Sequence, residues 1–220
     1  GYASGRLAAF VEGPARAMLK APPPLGVALT VVETESGVAA MDGERVVAVA
    51  GPGAVAATPP AIPGDDALDA ARAEYLANPQ HMIFPCFVCG PKRAPGEGLR
   101  IFAGAAPGSP VNAGRWRPGA DLAGGDGLVA AEYLWAALDC PSAFALRRSE
   151  GLCLLGAMSA SIARRPKPGE RLVALAWKDR SEGRKHFASS ALVDENGETI
   201  AASNALWIDA LSERRRHFPG

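Results

Sequence analysis

Apolar residues recur along this chain first at helical spacing and then at the period of two that suits a half-buried strand. Residues 3–20 open as a helix with Leu7, Ala8 and Phe10 apolar, until Gly13-Pro14 interrupts it. Between 21 and 35, Val27, Leu29 and Val31 alternate with their neighbours, which predicts a strand. Residues 37–51 read as a hairpin turning at Asp42-Gly43. Gly51 to Gly64 is rich in Pro, Gly and Ala and marks a linker. The stretch DDALDAARAEYLA, 65–77, opens on Asp and continues with good helix formers, so a short linking helix is expected there.

A second section starts near His81. Turn signals alternate with short apolar pieces, Leu99–Phe102 among them, and 111–118 reads as a short strand. The longest helix candidate runs for about 16–20 residues from near Gly127, with Asp126 as its expected N-cap. Four strand-like stretches follow, 152–165, 170–179, 184–194 and 198–210, joined by the turn signals PKPGE, DRSEG and DENGE. One long helix followed by a strand meander predicts an α+β layer with the sheet wrapped on the helix.

The two sections share one order of elements. GYASGRLAAF at 1–10 lies on GLVAAEYLWA at 127–136 without gaps, and a Pro-containing segment and strands follow each helix. The pattern predicts two copies of one helix-plus-sheet module. Residues 1–64 form the first, without the strands expected ahead of its helix, 65–80 the linking helix, and 81–220 the second.

Composition narrows the partners. The 220 residues hold 23 Lys plus Arg against 23 Asp plus Glu, and a neutral chain gives no electrostatic case for nucleic acid or an anionic membrane. The basic clusters RRPKPGER and SERRRHF read as solvated surface. No apolar run reaches the roughly 18 residues of a transmembrane helix. Four cysteines, too few for a secreted disulfide framework, suggest a reducing compartment, hence a cytoplasmic protein. The first residue is Gly rather than Met, so the native start is expected to lie upstream, and a removed signal peptide stays open.

Few residues carry candidate chemistry. Asp139 ends the apolar run YLWAALD. On its residues alone it reads as a turn aspartate before Cys140-Pro141 or as the one carboxylate meant for catalysis. Glu132, on the same helix face, reads as a solvated first-turn glutamate. Cys86 and Cys89 form CxxC with His81 nearby, but no second pair completes a four-ligand zinc site, so packing of a turn is the expected role and no metal is assigned. Arg184 and Lys185 begin a strand and suit either phosphate contacts or an exposed strand end. His186 reads as a packed or exposed histidine. Ser142 lacks a nucleophile elbow. Trp116, Trp135, Trp177 and Trp207 read as core or pocket walls.

Three stretches give the chain a resemblance: CFVCGPKRAPGEGLRI, GLVAAEYLWAALDCPSAFAL and GRKHFASSALVDENGETIAASNALW. Together they resemble hotdog-fold acyl-CoA thioesterases of the phenylacetyl-CoA type, over most of 81–210 and more faintly over 1–50. The resemblance implies an α+β double hotdog, each module a curled antiparallel sheet wrapped around a central helix. It also implies hydrolysis of an acyl-CoA thioester by a carboxylate, with helix N-terminal amides as the oxyanion hole. In that pattern the acid follows a donor glycine by eight residues, and donor and acid face each other from different modules. Asp139 matches the acid, and Ala131 stands where the glycine is expected. In the first module the corresponding positions are Gly13 and Gly5.

The resemblance therefore implies one site per chain, built from Asp139 and Gly5, with Ser4, Trp135, Arg184 and Lys185 contacting substrate. No cofactor is implied beyond the coenzyme A of the substrate itself. The resemblance also leaves room for pairing of two double-hotdog chains into a homodimer. The alternative is a non-catalytic protein of the same fold that binds acyl-CoA or a lipid-like ligand. A hotdog hydratase ranks below both, because no suitable Asp and His pair is present.

Overall fold

The computed structural model describes residues 1–78, 85–146 and 153–209. Helix α1 spans Tyr2–Ala8, and β1 (Ala15–Leu19), β2 (Thr30–Thr34), β3 (Gly37–Asp42) and β4 (Arg45–Pro52) follow it. Helix α2 is Asp65–Ala77. The second section holds β5 (Gly104–Ala105), β6 (Asn112–Trp116), a 3-10 turn at Ala120–Leu122, and α3 (Ala131–Phe144). The last strands are β7 (Cys153–Ile162), β8 (Leu172–Glu182), β9 (Lys185–Asp194) and β10 (Thr199–Asp209).

The ten strands of the described residues form one sheet in the order β2-β3-β4-β1-β7-β10-β9-β8-β6-β5. The order makes the repeat visible. Each helix is followed by a strand at the centre of the sheet, β1 or β7, and the next three strands return toward it in the same sequence. The halves join where β1 and β7 pair antiparallel, Ala15 opposite Ala160 and Met18 opposite Ala157. Ahead of its helix the second module also carries β5 and β6.

The sheet has two covered faces, and β8 shows how. Leu172 and Ala174 join the core under α3 with Leu134, Trp135 and Leu138. Leu175, packed with Val173, belongs instead to a second cluster with Leu68 and Ala71 of α2 and with Val55 and Ala57 of the linker. Alternate side chains of a strand point to opposite faces, so α1 and α3 lie on one face and the linker and α2 on the other. Leu68, Ala71 and Tyr75 are spaced on one stripe of α2 and are its buried residues.

Several expectations need correction. Residues 15–19 are a strand rather than more helix: Ala15 and Ala17 are buried and Arg16 is exposed, a period-two pattern written in small residues. Phe10 lies past the end of α1 and is 63% exposed. Val27 is exposed ahead of β2. Leu99, Ile101 and Phe102 are buried outside any strand. Helix α3 begins at Ala131, not near Gly127. Asp126 does not cap it but accepts from the Leu128 N–H at 3.2 Å and pairs with Arg165. His81 and the cluster SERRRHF lie outside the described residues.

Helices α1 and α3 cross at two glycines. A Cβ on Gly1 would come within 2.8 Å of the Ala136 Cα, and one on Gly5 within 2.7 Å of the Glu132 Cα and the Trp135 Cβ. Helix propensity alone would make Gly5→Ala stabilising by about 1 kcal/mol. Overpacking against the α3 backbone costs about 1–3 kcal/mol, and Gly5→Ala is therefore expected to lower the urea midpoint. A raised midpoint would show that the helices do not meet at this glycine.

The β9–β10 turn supplies a pH dependence. Burial disfavours the Asp194 charge, but the Arg164 guanidinium and the N–H groups of Glu198 and Asn196 more than offset it and hold its pKa below the usual value. A lowered folded pKa adds stability that is complete above the unfolded value, about 3.9, and lost as pH falls through the folded one. Stability is expected to drop on acidification below about pH 4, and less steeply in Asp194→Asn, when urea midpoints are followed against pH.

Candidate functional site

The helix crossing sets the site. Gly1 lies against Asp139, while Gly5 lies against Glu132 and Trp135, so the two helices run antiparallel. Arg6 Nη1 donates to Glu132 Oε1 at 2.9 Å, and the Tyr2 and Tyr133 rings are 5.5 Å apart. Glu132 is only 14% exposed and is no free first-turn glutamate.

Asp139 lies inside α3, not at its end, because the helix continues through Pro141 to Phe144. Proline has no N–H and cannot bond back to the preceding turn. Nearby carbonyls find hydroxyl partners: Ser190 Oγ donates to the Leu138 carbonyl and Ser142 Oγ to the Asp139 carbonyl, both at 2.7 Å. Ser142 Oγ also accepts the Trp207 Nε1–H at 2.9 Å. The backbone around the aspartate is held by β9 and β10 despite the proline.

The carboxylate itself is divided. Oδ2 lies 2.5 Å from the Gly1 nitrogen, at the start of α1. Oδ1 is buried and, with Trp116 Nε1, is one of two buried side-chain polar atoms among the described residues that have no hydrogen-bond partner. Such an atom is costly to leave unpaired. Gly1 is the N-cap of α1, and Tyr2, Ala3 and Ser4 form the first turn of that helix.

The remaining sequence-named residues fall in two places. Gly5 sits one turn further along α1 than the acid. Its N–H already donates to the Gly1 carbonyl at 2.9 Å, so it is no open donor, and it serves as a contact point between helices. Ser4 and Trp135 are buried on α1 and α3. Arg184 and Lys185 stand apart at the end of the β8–β9 hairpin, where Arg184 Nη2 donates to the Asp209 carbonyl at 2.6 Å. Gly13 follows α1 in a left-handed turn, φ 72°, so the first module has no helical counterpart of Asp139.

Two groupings were not read from the sequence. His186 is buried, with Nδ1 2.9 Å from Ser181 Oγ and Nε2 3.3 Å from Asp209 Oδ2, and Cys153 Sγ is 3.3 Å from Asp209 Oδ1. The pairing of β8 with β9 and of β7 with β10 creates it from four separate stretches. The second brings Cys140 of α3 to the CxxC turn, with its Sγ 3.6 Å from that of Cys86. The hydrogen bonds from Cys140 and then Cys89 hold Cys86 toward its thiolate, and Cys140 is pushed the other way, chiefly by that same bond. Two surface cavities, of about 440 Å³ beside Arg72, Arg100 and Arg115 and about 330 Å³ beside Arg16 and Arg180, are not lined by Asp139.

No family model matches the chain, and no curated protein matches it. Solved structures do. The tesB protein of Mycobacterium avium subs paratuberculosis superposes with a TM-score of 0.55 over 94% of this chain and 82% of that one, at 17% identity. The E. coli PaaI protein from the phenylacetic acid degradation operon has a TM-score of 0.43, covering 46% of this chain and 73% of its own at 15% identity. A phenylacetic acid degradation-related protein of Ralstonia eutropha has 0.41, with 44% and 75% covered at 18% identity. The likeness that spans nearly the whole chain shows the fold: an α+β double hotdog with two helix-and-sheet modules in one polypeptide. Among the described residues no helix is long and apolar enough to cross a membrane.

The hydroxyl that braces Asp139 is testable. Ser142→Ala leaves the buried Trp207 N–H without its acceptor, and the expected cost is about 1–3 kcal/mol of unfolding free energy in urea titrations. A change within error would mean that Trp207 finds another partner.

Proposed function

We propose, on the premise of the double-hotdog fold, that this protein hydrolyses an acyl-CoA thioester, with Asp139 as general base and the first-turn N–H groups of α1 as oxyanion donors. One observation carries the reading. Asp139 has one buried oxygen without a hydrogen-bond partner, and its other oxygen lies 2.5 Å from the Gly1 nitrogen ahead of a helix from the other module. A carboxylate beside unpaired N–H groups is what thioester hydrolysis asks for: one group to take a proton, others to meet the charge that develops on the carbonyl oxygen.

The reaction then balances simply. Water gives a proton to the Asp139 carboxylate while its oxygen bonds to the thioester carbon. The carbonyl oxygen takes up the negative charge, and the N–H groups of Tyr2 and Ala3 donate to it at a helix end that favours an anion. Collapse of the tetrahedral adduct breaks the carbon–sulfur bond. The proton held by Asp139 passes to the departing coenzyme A thiolate, leaving a free acid and a thiol. Gly1 has a part here because any side chain at that position would meet Asp139. The reciprocal site, built from Gly13 and Ala131, lacks an acid, so one site per chain is expected.

A second reading keeps the ligand and drops the turnover. It is favoured by the cavities, which Asp139 does not line. Steady-state hydrolysis of a panel of acyl-CoAs separates the two. Asp139→Asn is expected to lower kcat/KM by at least about 100-fold while acyl-CoA still binds in calorimetry. Equal rates in wild type and variant, with binding intact, would leave the ligand-binding protein as the answer.

A further inference from the structure

The thiol cluster has a geometry that core packing does not require. Cys86 and Cys89 belong to a tight turn closed by the Gly90 N–H on the Cys86 carbonyl at 2.9 Å. Cys140 arrives from α3, and the three sulfurs all lie within 4.8 Å of one another. Packing asks only for volume, and any small apolar side chain supplies it. Convergence of three soft donors from two elements on one point is what a thiophilic ion asks for.

The turn is also braced from outside. Tyr75 Oη donates to the Cys89 carbonyl at 2.8 Å, and Arg93 Nε to the carbonyls of Pro85 and Cys86 at 2.9 and 3.0 Å. The N–H groups of Leu99 and Ile101 donate to the Phe87 and Val88 carbonyls at 2.8 and 2.9 Å. Every carbonyl from Pro85 to Cys89 is thereby engaged, and such outer contacts fix the direction of donor side chains. The spacing fits as well. Four sulfurs about 2.3 Å from a tetrahedral zinc lie about 3.8 Å apart, close to the 3.6 Å between Cys86 and Cys140. A disulfide would need about 2.05 Å.

We propose that Cys86, Cys89 and Cys140 form a three-thiolate site for a zinc-class ion, which clamps the 85–90 turn onto α3. Binding releases the protons that the thiols still carry and forms three metal–sulfur bonds, leaving a fourth position for water or another donor. The Arg93 guanidinium, held at the turn, offsets the net negative charge of such a centre. Cys153 lies outside this cluster, in the separate grouping with His186 and Asp209, so Cys153→Ser separates zinc held by the three thiols from zinc held there.

The test needs no substrate. The whole chain, purified under reducing conditions without chelator and reconstituted with zinc, is expected to hold one zinc per chain by elemental analysis after dialysis. Cobalt in its place is expected to give a sulfur-to-cobalt charge-transfer band and the strong visible bands of a tetrahedral centre. Cys140→Ser is expected to weaken binding at least about tenfold, and Cys153→Ser to leave it unchanged. If Cys140→Ser does not fold, the wild-type zinc content and cobalt spectrum still decide. The proposal fails if the reduced, reconstituted wild type holds no metal, if cobalt gives no sulfur band, or if Cys153→Ser removes the ion as Cys140→Ser does. A Cys86–Cys140 disulfide in metal-free protein isolated without reductant would overturn it in favour of a redox pair.

Discussion

Two helices from different modules touch backbone to side chain at Gly1 and Gly5, and the rest of the arrangement follows from that approach. The glycines are four residues apart and so share one face of α1. They let α1 settle onto Glu132, Trp135, Ala136 and Asp139, which occupy the matching face of α3. The approach brings a carboxylate to a helix start and lets the two halves of the sheet meet at β1 and β7 under the helix pair.

Most of the architecture was legible because its signals are strong and local. The four last strands, the linking helix and the hairpin around Gly43 are bounded by turn residues and filled by residues that suit them. β1 escaped because Ala15 and Ala17 are its buried residues, and alanine carries little β signal. The repeat was legible as an order of elements. Its exact pairing across the helix crossing was not, since Gly1 and Gly5 look alike in sequence and differ by one helical turn. The structure separates them by a hydrogen bond: the Gly5 N–H is spent on Gly1, and the Gly1 nitrogen is the one at the acid.

Asp139 was legible as an oddity, but its setting was not. Proline two residues on argued for a helix end, yet α3 continues to Phe144, with Ser142 and Ser190 bonded to carbonyls beside the proline. Nothing local to residue 139 announces a hydroxyl from β9. The same limit hid Cys140 from the CxxC turn, since more than fifty residues separate them and only the fold closes the gap.

The seam between β1 and β7 has a further meaning. In a dimer of identical single modules, any change in one central helix appears in both, so a site and its mirror image must rise or fall together. Joining the modules in one polypeptide removes that bond. Here α1 is seven residues long and ends before Gly13, while α3 runs fourteen residues and carries the aspartate. One helix supplies glycines for the close approach and the other supplies the aspartate, a division of labour open only to modules that can change separately.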